Sequence, residues 1–185
     1  MDTPTEQVIQ QTKTWVDEVV IGLNLCPFAS RVVSENRIDY IVVRGDSLEQ
    51  HLHQLADCFS KLDESSEIET SLIIFPQAYK SFDDYLELLE LSNQLLEELN
   101  YAGIYQLASF HPEYLFADST EDDASNFTNR SPYPMLHLLR ESSIEKAVAS
   151  YKNIDDIPDN NIKKLQKIGY TVMQQMLNNI MQEKS

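Results

Sequence analysis

Apolar residues recur at helical spacing from the beginning of the chain. Residues 5–22 place one stripe on a single helix face, and the stripe consists of Val8, Ile9, Thr12, Trp15, Val16, Val19, Val20 and Leu23. Gly22 suits a helix end, while Pro27 disfavours helical conformation at Cys26 and favours a new helix start. The pattern predicts a helix over 5–22 and a short helix that continues through Val33.

Three short runs of strand-forming residues follow. Residues 38–44, 71–75 and 105–110 are predicted to be strands, and the second is buried on both faces and ended by Pro76. Helical patterns separate them, marked by Leu48, Leu52, Leu55, Ala56 and Phe59 and then by Phe82, Leu86, Leu89 and Leu96. This alternation predicts an α/β fold with a small, mostly parallel three-stranded β-α-β-α-β core, flanked by N-terminal and C-terminal helices.

The rest of the chain is predicted to be loop and helix. Residues 116–128 are polar and acidic and are interpreted as a long, mobile surface loop. A helix is expected over 134–149 and a linker over 153–161. One last helix carries an apolar stripe of Ile162, Leu165, Ile168, Val172, Met173, Met176 and Ile180. The stripe favours core packing, with a Met-rich partner-binding surface as the alternative.

Length and charge restrict the class of protein. The 185 residues fit a single domain. The net charge of −16 argues against nucleic acid and anionic membrane surfaces as partners, and no apolar run approaches the roughly 20 residues of a membrane span. Because the N-terminal sequence does not resemble a secretory signal, we expect a cytoplasmic location. Cys26 and Cys58 are therefore expected to be free thiols, with a disulfide as the alternative.

Three strings of residues carry a family resemblance. They are Trp15-Val16 leading into Gly22-Leu-Asn-Leu-Cys-Pro-Phe28, then Ser109-Phe-His-Pro112, then Thr128-Asn-Arg-Ser-Pro-Tyr-Pro134 with His137-Leu-Leu-Arg-Glu141. The dipeptide Glu69-Thr70 also matches the pattern of the same family. Together these strings resemble the bacterial domain-of-unknown-function family 1415 over about residues 8–148. The resemblance implies a family-like core over 5–150, followed by a linker and C-terminal helix over 151–185. It implies no activity and no catalytic residue.

One histidine follows the third predicted strand directly. In open α/β sheets, ligands bind beyond the carboxyl ends of the strands, and His111 stands there with Pro112 ending the strand. The functional interpretation of His111 is a general base, a metal ligand or an anion-binding imidazole. The structural alternative is a ring that hydrogen-bonds a loop carbonyl.

Cationic side chains mark the predicted helix over 134–149. Arg140 falls within its apolar stripe, His137 lies at the edge, and Glu141 is one helical turn from His137. Arg130 and Ser131 precede the helix start, where unpaired N–H groups favour a phosphate or carboxylate. The alternatives are an N-cap role for Ser131 and a buried structural pair for Arg140.

Taken together, these residues predict a pocket for a small anionic ligand. The candidate catalytic residues are Cys26, His111 and His137, and the candidate ligand-binding residues are Arg130, Ser131, Arg140 and Glu141. Cys26 precedes a predicted helix start, which would stabilise a thiolate, although inert packing is the alternative. His51 and His53 are interpreted as surface residues.

The sequence leaves open whether the protein is an enzyme. If the protein is an enzyme, hydrolysis or group transfer fits better than redox chemistry, because no cofactor fingerprint is present. The His and Cys spacings match no metal site. The alternative function is a non-catalytic interaction module whose acidic surface binds a basic partner and whose Arg and His residues tie the fold together. A protein partner or a homo-oligomer stays open.

Overall fold

The computed structural model describes residues 3–150 and 156–182 of the chain. Its first helix, α1 (Thr5–Trp15), continues into a π-helix over Val16–Ile21, and a short helix α2 covers Ala29–Ser34. Gly22 follows the π-helix at a close approach, where an added Cβ would clash with the carbonyl oxygen of Glu18. The predicted helices of this region are confirmed, with a change of pitch that the apolar stripe did not indicate.

The central part of the chain alternates as predicted. Its elements are β1 (Ile38–Val42), α3 (Leu48–Glu64), β2 (Thr70–Ile74), α4 (Phe82–Glu98) and β3 (Tyr105–Phe110). Ser47 and Ser81 cap α3 and α4, since each hydroxyl accepts a hydrogen bond from a backbone N–H in the first turn. Each serine therefore fixes the residue at which its helix begins.

A fourth strand replaces the first half of the predicted helix over 134–149. Strand β4 spans Met135–Arg140, and helix α5 begins only at Glu141 and extends to Ser150. The helix prediction was wrong because residues 135–139 form a nearly continuous apolar run, which fits a strand buried on both faces as well as a helix. Buried Leu136 and Leu138 indicate the two-residue period of a strand.

The sheet is four-stranded and mixed, in the order β1-β2-β4-β3. Strands β1 and β2 are parallel, whereas β4 pairs antiparallel with both β2 and β3. Strands β1, β2 and β3 therefore share one direction, as predicted, but β4 is inserted between β2 and β3. The expectation of a three-stranded, mostly parallel sheet is corrected accordingly.

Helices cover both faces of the sheet. One core joins the first sheet face to α1, the π-helix and two C-terminal helices, α6 (Ile157–Ile168) and α7 (Tyr170–Gln182). It includes Val8, Trp15, Val19, Leu72, Ile74, Met135, Leu165 and Met173. The other joins the second face to α3 and α4, and includes Leu55, Phe59, Ile73, Phe75, Tyr85, Leu88, Leu136 and Leu138. Because β2 and β4 are buried on both faces, they supply alternate residues to the two cores.

The C-terminal region forms two helices instead of one. Helix α6 spans Ile157–Ile168 and α7 spans Tyr170–Gln182, separated by Gly169 at φ +88°. The predicted linker over 153–161 is partly helical, and its residues 153–155 lie outside the described part. Most of the stripe packs in the core, as expected: Leu165, Met173 and Ile180 are buried and Ile168 and Met176 are half-buried against them, whereas Ile162 and Val172 are exposed. Within the described residues, no helix combines the length and apolar character needed to cross a bilayer.

The connection from β3 to β4 is a surface loop only in part. A 3₁₀ helix spans Ala124–Thr128, and its residues 124–127 are buried. The Asn126 side chain accepts hydrogen bonds from the N–H of Phe116 and the hydroxyl of Ser119, and donates one to the carbonyl of Thr120. These bonds tie the start of the acidic segment to its end.

Arg140 stabilises the C-terminal end of α3. Its Nη2 atom donates to the carbonyl oxygens of Leu62, Ser65 and Ile68 at 2.5, 2.9 and 3.2 Å. Carbonyls in the last turn of a helix lack helical partners and carry partial negative charge. Arg140 therefore makes structural contacts, as the alternative interpretation expected. Its partners are backbone carbonyls and not the expected acidic side chain.

Replacing Arg140 by glutamine should destabilise the fold. The Arg140→Gln variant loses charge-assisted hydrogen bonds to α3, so we expect the free energy of unfolding in urea to fall by about 2–3 kcal/mol. The control is Arg31→Gln, which removes an exposed arginine paired with Glu35 and should change stability by less than about 1 kcal/mol. Equal effects of the two substitutions would contradict the capping role.

Candidate functional site

Two of the predicted site segments meet at one edge of the sheet. The three strands that share a direction end at this edge, so we call it the carboxyl edge. His111 follows β3 there, as predicted, and Arg130 and Ser131 precede β4. The N–H of His111 donates to the carbonyl of Asn129 at 3.1 Å, which joins the two segments.

Arg140 lies at the opposite edge of the sheet. Strand β4 runs from Met135 at the carboxyl edge to Arg140, and five steps of about 3.4 Å separate the two ends by about 17 Å. The predicted convergence of Arg130 and Arg140 on one ligand is therefore not present.

His111 uses both of its ring nitrogens to hold backbone. Its Nε2 lies 2.9 Å from the carbonyl oxygen of Tyr79, and its Nδ1 accepts a hydrogen bond from the N–H of Glu113 at 3.0 Å. Nε2 therefore carries the ring proton, because a carbonyl only accepts. The residue is fully buried, and burial lowers the pKa of the imidazole. The structural alternative for His111 is the one observed.

Arg130 and Ser131 also bond to backbone. The Arg130 Nε and Nη2 atoms donate to the carbonyls of Tyr114 and Glu121 at 3.1 and 2.9 Å. The guanidinium carbon lies 5.0 and 5.6 Å from the ring centroids of Phe127 and Tyr170, at distances that allow cation–π attraction. The Ser131 hydroxyl donates to the carbonyl of residue 133 and caps no helix, since β4 follows.

His137 and Glu141 do not contact each other by helical spacing, because His137 lies in β4. The Nε2 atom of His137 is 2.7 Å from the Thr70 hydroxyl, which itself donates to the carbonyl of Leu138 at 2.5 Å. The threonine oxygen therefore accepts from His137. Burial lowers the pKa of His137 to about 4. Glu141 begins α5, and its N–H donates to the carbonyl of Ile104.

Both cysteines are free thiols in this structure. Cys26 is half-buried in the turn between the π-helix and α2, and α2 begins three residues later, at Ala29. Cys58 is buried, which raises the pKa of its thiol to about 12. Within residues 3–150 and 156–182, no group of three or more His, Cys, Asp or Glu residues is arranged to hold a metal ion.

Sequence reasoning missed one buried histidine. His51 was interpreted as a surface residue, but it is 1% exposed, whereas His53 is exposed as expected. The Nδ1 atom of His51 lies 2.6 Å from the Tyr79 hydroxyl, and its buried Nε2 has no hydrogen-bond partner in the described part of the chain. A signal was present in the sequence, because His51 precedes Leu55 by four residues and therefore lies on the apolar stripe of α3.

Tyr79 connects the two buried histidines. It lies in the segment between β2 and α4, with its hydroxyl at His51 and its carbonyl oxygen at His111. Its φ of +55° is uncommon for a residue with a side chain. Its ring packs edge-on against Phe75 at 5.3 Å. We call His51, Tyr79 and His111 the carboxyl-edge cluster.

A separate cavity lies beside β1, away from the carboxyl-edge cluster. Its volume is about 120 Å³, and it is lined by Lys13, Asp17, Val33, Asn36, Ile38 and Tyr40. The Lys13 ammonium lies 5.3 Å from the Tyr40 ring centroid. None of the predicted site residues lines this cavity.

The lowered pKa of His137 predicts a pH dependence of stability. Its pKa is about 4 in the folded protein and about 6.5 in an unfolded chain. The folded state therefore binds fewer protons than the unfolded state. The contribution of His137 to the free energy of unfolding is complete above pH 6.5 and is lost as the pH falls towards 4, and the total loss is roughly 3 kcal/mol.

The His137→Gln variant should show a shallower fall in unfolding free energy between pH 6.5 and 5 than the wild type. A smaller slope of the same sign remains, because burial also lowers the pKa of His111. His53→Gln, at an exposed position, should keep the wild-type slope in urea titrations at each pH. An unchanged slope in His137→Gln would contradict the assignment.

Comparison with known proteins identifies a family but no activity. The family model described as "Protein of unknown function (DUF1415)" matches residues 7–175. No curated protein and no solved structure matches the chain. The matched region contains all the motif strings and the carboxyl-edge cluster. Because the match covers well over half of the sequence, the chain belongs to the DUF1415 family.

Proposed function

We propose that the protein binds a small anionic ligand at the carboxyl-edge cluster. The observation that carries this proposal is the buried Nε2 atom of His51, which has no hydrogen-bond partner among the described residues. Buried polar groups in proteins are nearly always paired, and an unpaired one costs about 1–3 kcal/mol. A ligand oxygen at Nε2 would remove this cost.

The chemistry of Tyr79 supports a ligand that accepts a hydrogen bond. Burial raises the pKa of the Tyr79 phenol to about 12, so the phenol is protonated at neutral pH. When it donates to Nδ1 of His51, the ring proton of His51 stays on Nε2. That N–H group then needs an acceptor, which a phosphate or carboxylate oxygen provides.

Two helix N-termini at the carboxyl edge supply partial positive charge, whereas nearby carboxylates oppose an anion. Helices α3 and α4 each follow a strand that ends at this edge, and the N-terminal end of a helix carries partial positive charge. Asp83 and Asp84, in the first turn of α4, carry the opposite charge. Exposed Lys80 follows Tyr79 directly. In this account Arg130 and Ser131 hold the neighbouring backbone and do not contact the ligand. Hydrolysis or group transfer at this site stays a prediction.

A ligand reaches the Nε2 atom of His51 only if a neighbouring segment moves. The Nε2 atom is buried, and Tyr79 adopts a φ of +55°, a conformation that costs about 1–3 kcal/mol and often occurs at functional sites. We propose that this segment, between β2 and α4, opens when the ligand enters.

Substitution of His51 by phenylalanine tests the proposal. His51→Phe keeps a ring of similar size and removes both ring nitrogens. The variant loses the unpaired Nε2 and also the hydrogen bond between Nδ1 and the Tyr79 hydroxyl, so we expect only a small net change in the unfolding temperature. Inorganic phosphate should raise the wild-type Tm in a saturable manner at constant ionic strength, and this response should disappear in the variant. The control is His53→Phe, on the same helix, which should keep the response.

Two results would overturn the proposal. One is a saturable phosphate response in His51→Phe equal to that of the wild type. The other is the absence of saturation in the wild type, because a Tm that rises steadily with phosphate and equally in all three proteins reflects general salt exclusion.

The surface of α4 supports a second candidate function, the binding of a basic partner. Helix α4 contains no Lys or Arg, and its exposed carboxylates are those of Asp83, Asp84, Glu87, Glu90, Glu97 and Glu98. Within the described ranges none of these six forms an ion pair. The bonding of His111, Arg130 and Arg140 to backbone is also what the interaction-module hypothesis expects.

A lysine-rich peptide tests this second function. The Glu87→Gln/Glu90→Gln variant should bind the peptide more weakly than the wild type and with a smaller dependence on salt, because two exposed charges are removed. The control, Asp118→Asn/Asp122→Asn, removes the same charge from the β3–β4 connection. If both variants lose affinity equally, net charge alone governs binding and α4 is not the partner surface.

A further inference from the structure

Strand β1 forms one edge of the sheet, with β2 as its neighbour on one side only. In a parallel pair, every second residue directs its N–H and its C=O towards the neighbouring strand. The N–H of Val43 donates to the carbonyl of Ile74 in β2, so the even-numbered residues of β1 point their backbone groups away from the sheet. These residues are Ile38, Tyr40 and Val42. No backbone group of residues 3–150 and 156–182 hydrogen-bonds to their outward groups.

The opposite edge of the sheet, at β3, is partly closed by the chain itself. The N–H of Phe110 donates to the Tyr85 hydroxyl at 3.0 Å, and the carbonyl of Ser109 accepts from the Asn129 side chain at 2.9 Å. An exposed edge strand can pair with a strand of another molecule unless a proline, a bulge or a covering segment prevents it. Strand β1 contains no proline, and its register with β2 has no bulge. It is therefore the edge at which the sheet can be extended.

Charge is balanced around β1, although the chain as a whole carries a net charge of −16. The salt bridges of the described residues all lie in β1 or next to it, and they are Arg31–Glu35, Arg37–Glu35, Arg37–Glu69 and Lys61–Asp39. Helix α4, by contrast, exposes carboxylates and contains no Lys or Arg. Repulsion between two copies of this acidic chain is therefore weaker at β1 than at α4.

The order of residues in β1 suits pairing with a second β1. In an antiparallel arrangement centred on Tyr40, this residue lies opposite Tyr40 of the second copy, and Ile38 lies opposite Val42. All three residues point their backbone groups outward, so each facing pair exchanges both of its N–H···O bonds. We propose that the protein forms a homodimer in which β1 pairs antiparallel with β1 of a second copy. The two sheets then form one continuous sheet across a twofold axis beside Tyr40.

Two charged residues next to Tyr40 fit the same axis. Lys13 and Asp17 lie one helical turn apart and line the cavity of about 120 Å³ together with Tyr40. The Lys13 ammonium is 5.3 Å from the Tyr40 ring centroid, and within the described ranges neither Lys13 nor Asp17 forms a salt bridge. The twofold axis makes the first helices of the two copies antiparallel, so Lys13 of each copy faces Asp17 of the other. Opposite charges therefore complement each other across the interface.

Charge exchange tests the dimer by sedimentation equilibrium. Lys13→Glu alone and Asp17→Lys alone each place like charges opposite each other twice, so each should raise the dimer Kd by about 10-fold or more. An equimolar mixture of the two variants should recover a heterodimer with a Kd close to the wild-type value, because opposite charges then face each other at both places. The controls are Asp159→Lys and Lys163→Glu, at exposed positions with the same spacing on α6, and each should keep the wild-type Kd.

A proline tests the backbone pairing. Val42→Pro removes an outward N–H, which an edge strand tolerates, so the variant should be a folded monomer by circular dichroism where the wild type is a dimer. A wild type that stays monomeric at about 0.1 mM would overturn the proposal. A dimer that persists in folded Val42→Pro, or charge variants that dimerise as well as the controls, would place the interface elsewhere. If Val42→Pro does not fold, the mixture of charge variants decides, and no heterodimer in it contradicts the proposed axis.

Discussion

The buried guanidinium of Arg130 holds the connection on which the arrangement of the sheet depends. Because β4 is inserted between β2 and β3, the chain must leave β3 and return at the same edge. Arg130 donates to the carbonyls of Tyr114 and Glu121 within this connection and stacks near Tyr170, the first residue of α7. An unpaired buried charge is strongly destabilising, so this geometry fixes the connection and, with it, the turn that carries His111.

The sequence predicted the elements whose local pattern allows one interpretation. The strand over 105–110 is observed with the same bounds, because its strand-forming residues lie between a clear helical pattern and Pro112, which ends the strand. Strand β4 was missed because its apolar run fits both periods, and only pairing with β2 and β3 decides between them. The break of the last helix at Gly169 requires a positive φ, and a single glycine within a helical pattern does not predict one.

The site was predictable where it depends on topology and not where it depends on backbone contacts. The rule for strand ends placed His111 correctly, but the carbonyl of Tyr79 that it binds belongs to a distant segment. The carbonyls that accept hydrogen bonds from Arg140 could not be predicted either, because side-chain patterns do not locate backbone acceptors. The burial of His51 could have been predicted from its place on the α3 stripe. Its unpaired nitrogen could not, since this depends on which groups of the described residues surround it in three dimensions.

The central claim concerns one atom, the Nε2 of His51. Long-range ¹H–¹⁵N NMR of the imidazole ring, with His51 assigned by comparison with His51→Phe, reports directly which nitrogen carries the proton. The account predicts a proton on Nε2 in the free protein, and a saturable change of the Nε2 resonances when inorganic phosphate is added. A proton on Nδ1, or an Nε2 signal that does not respond to phosphate while the protein binds it, would contradict the account.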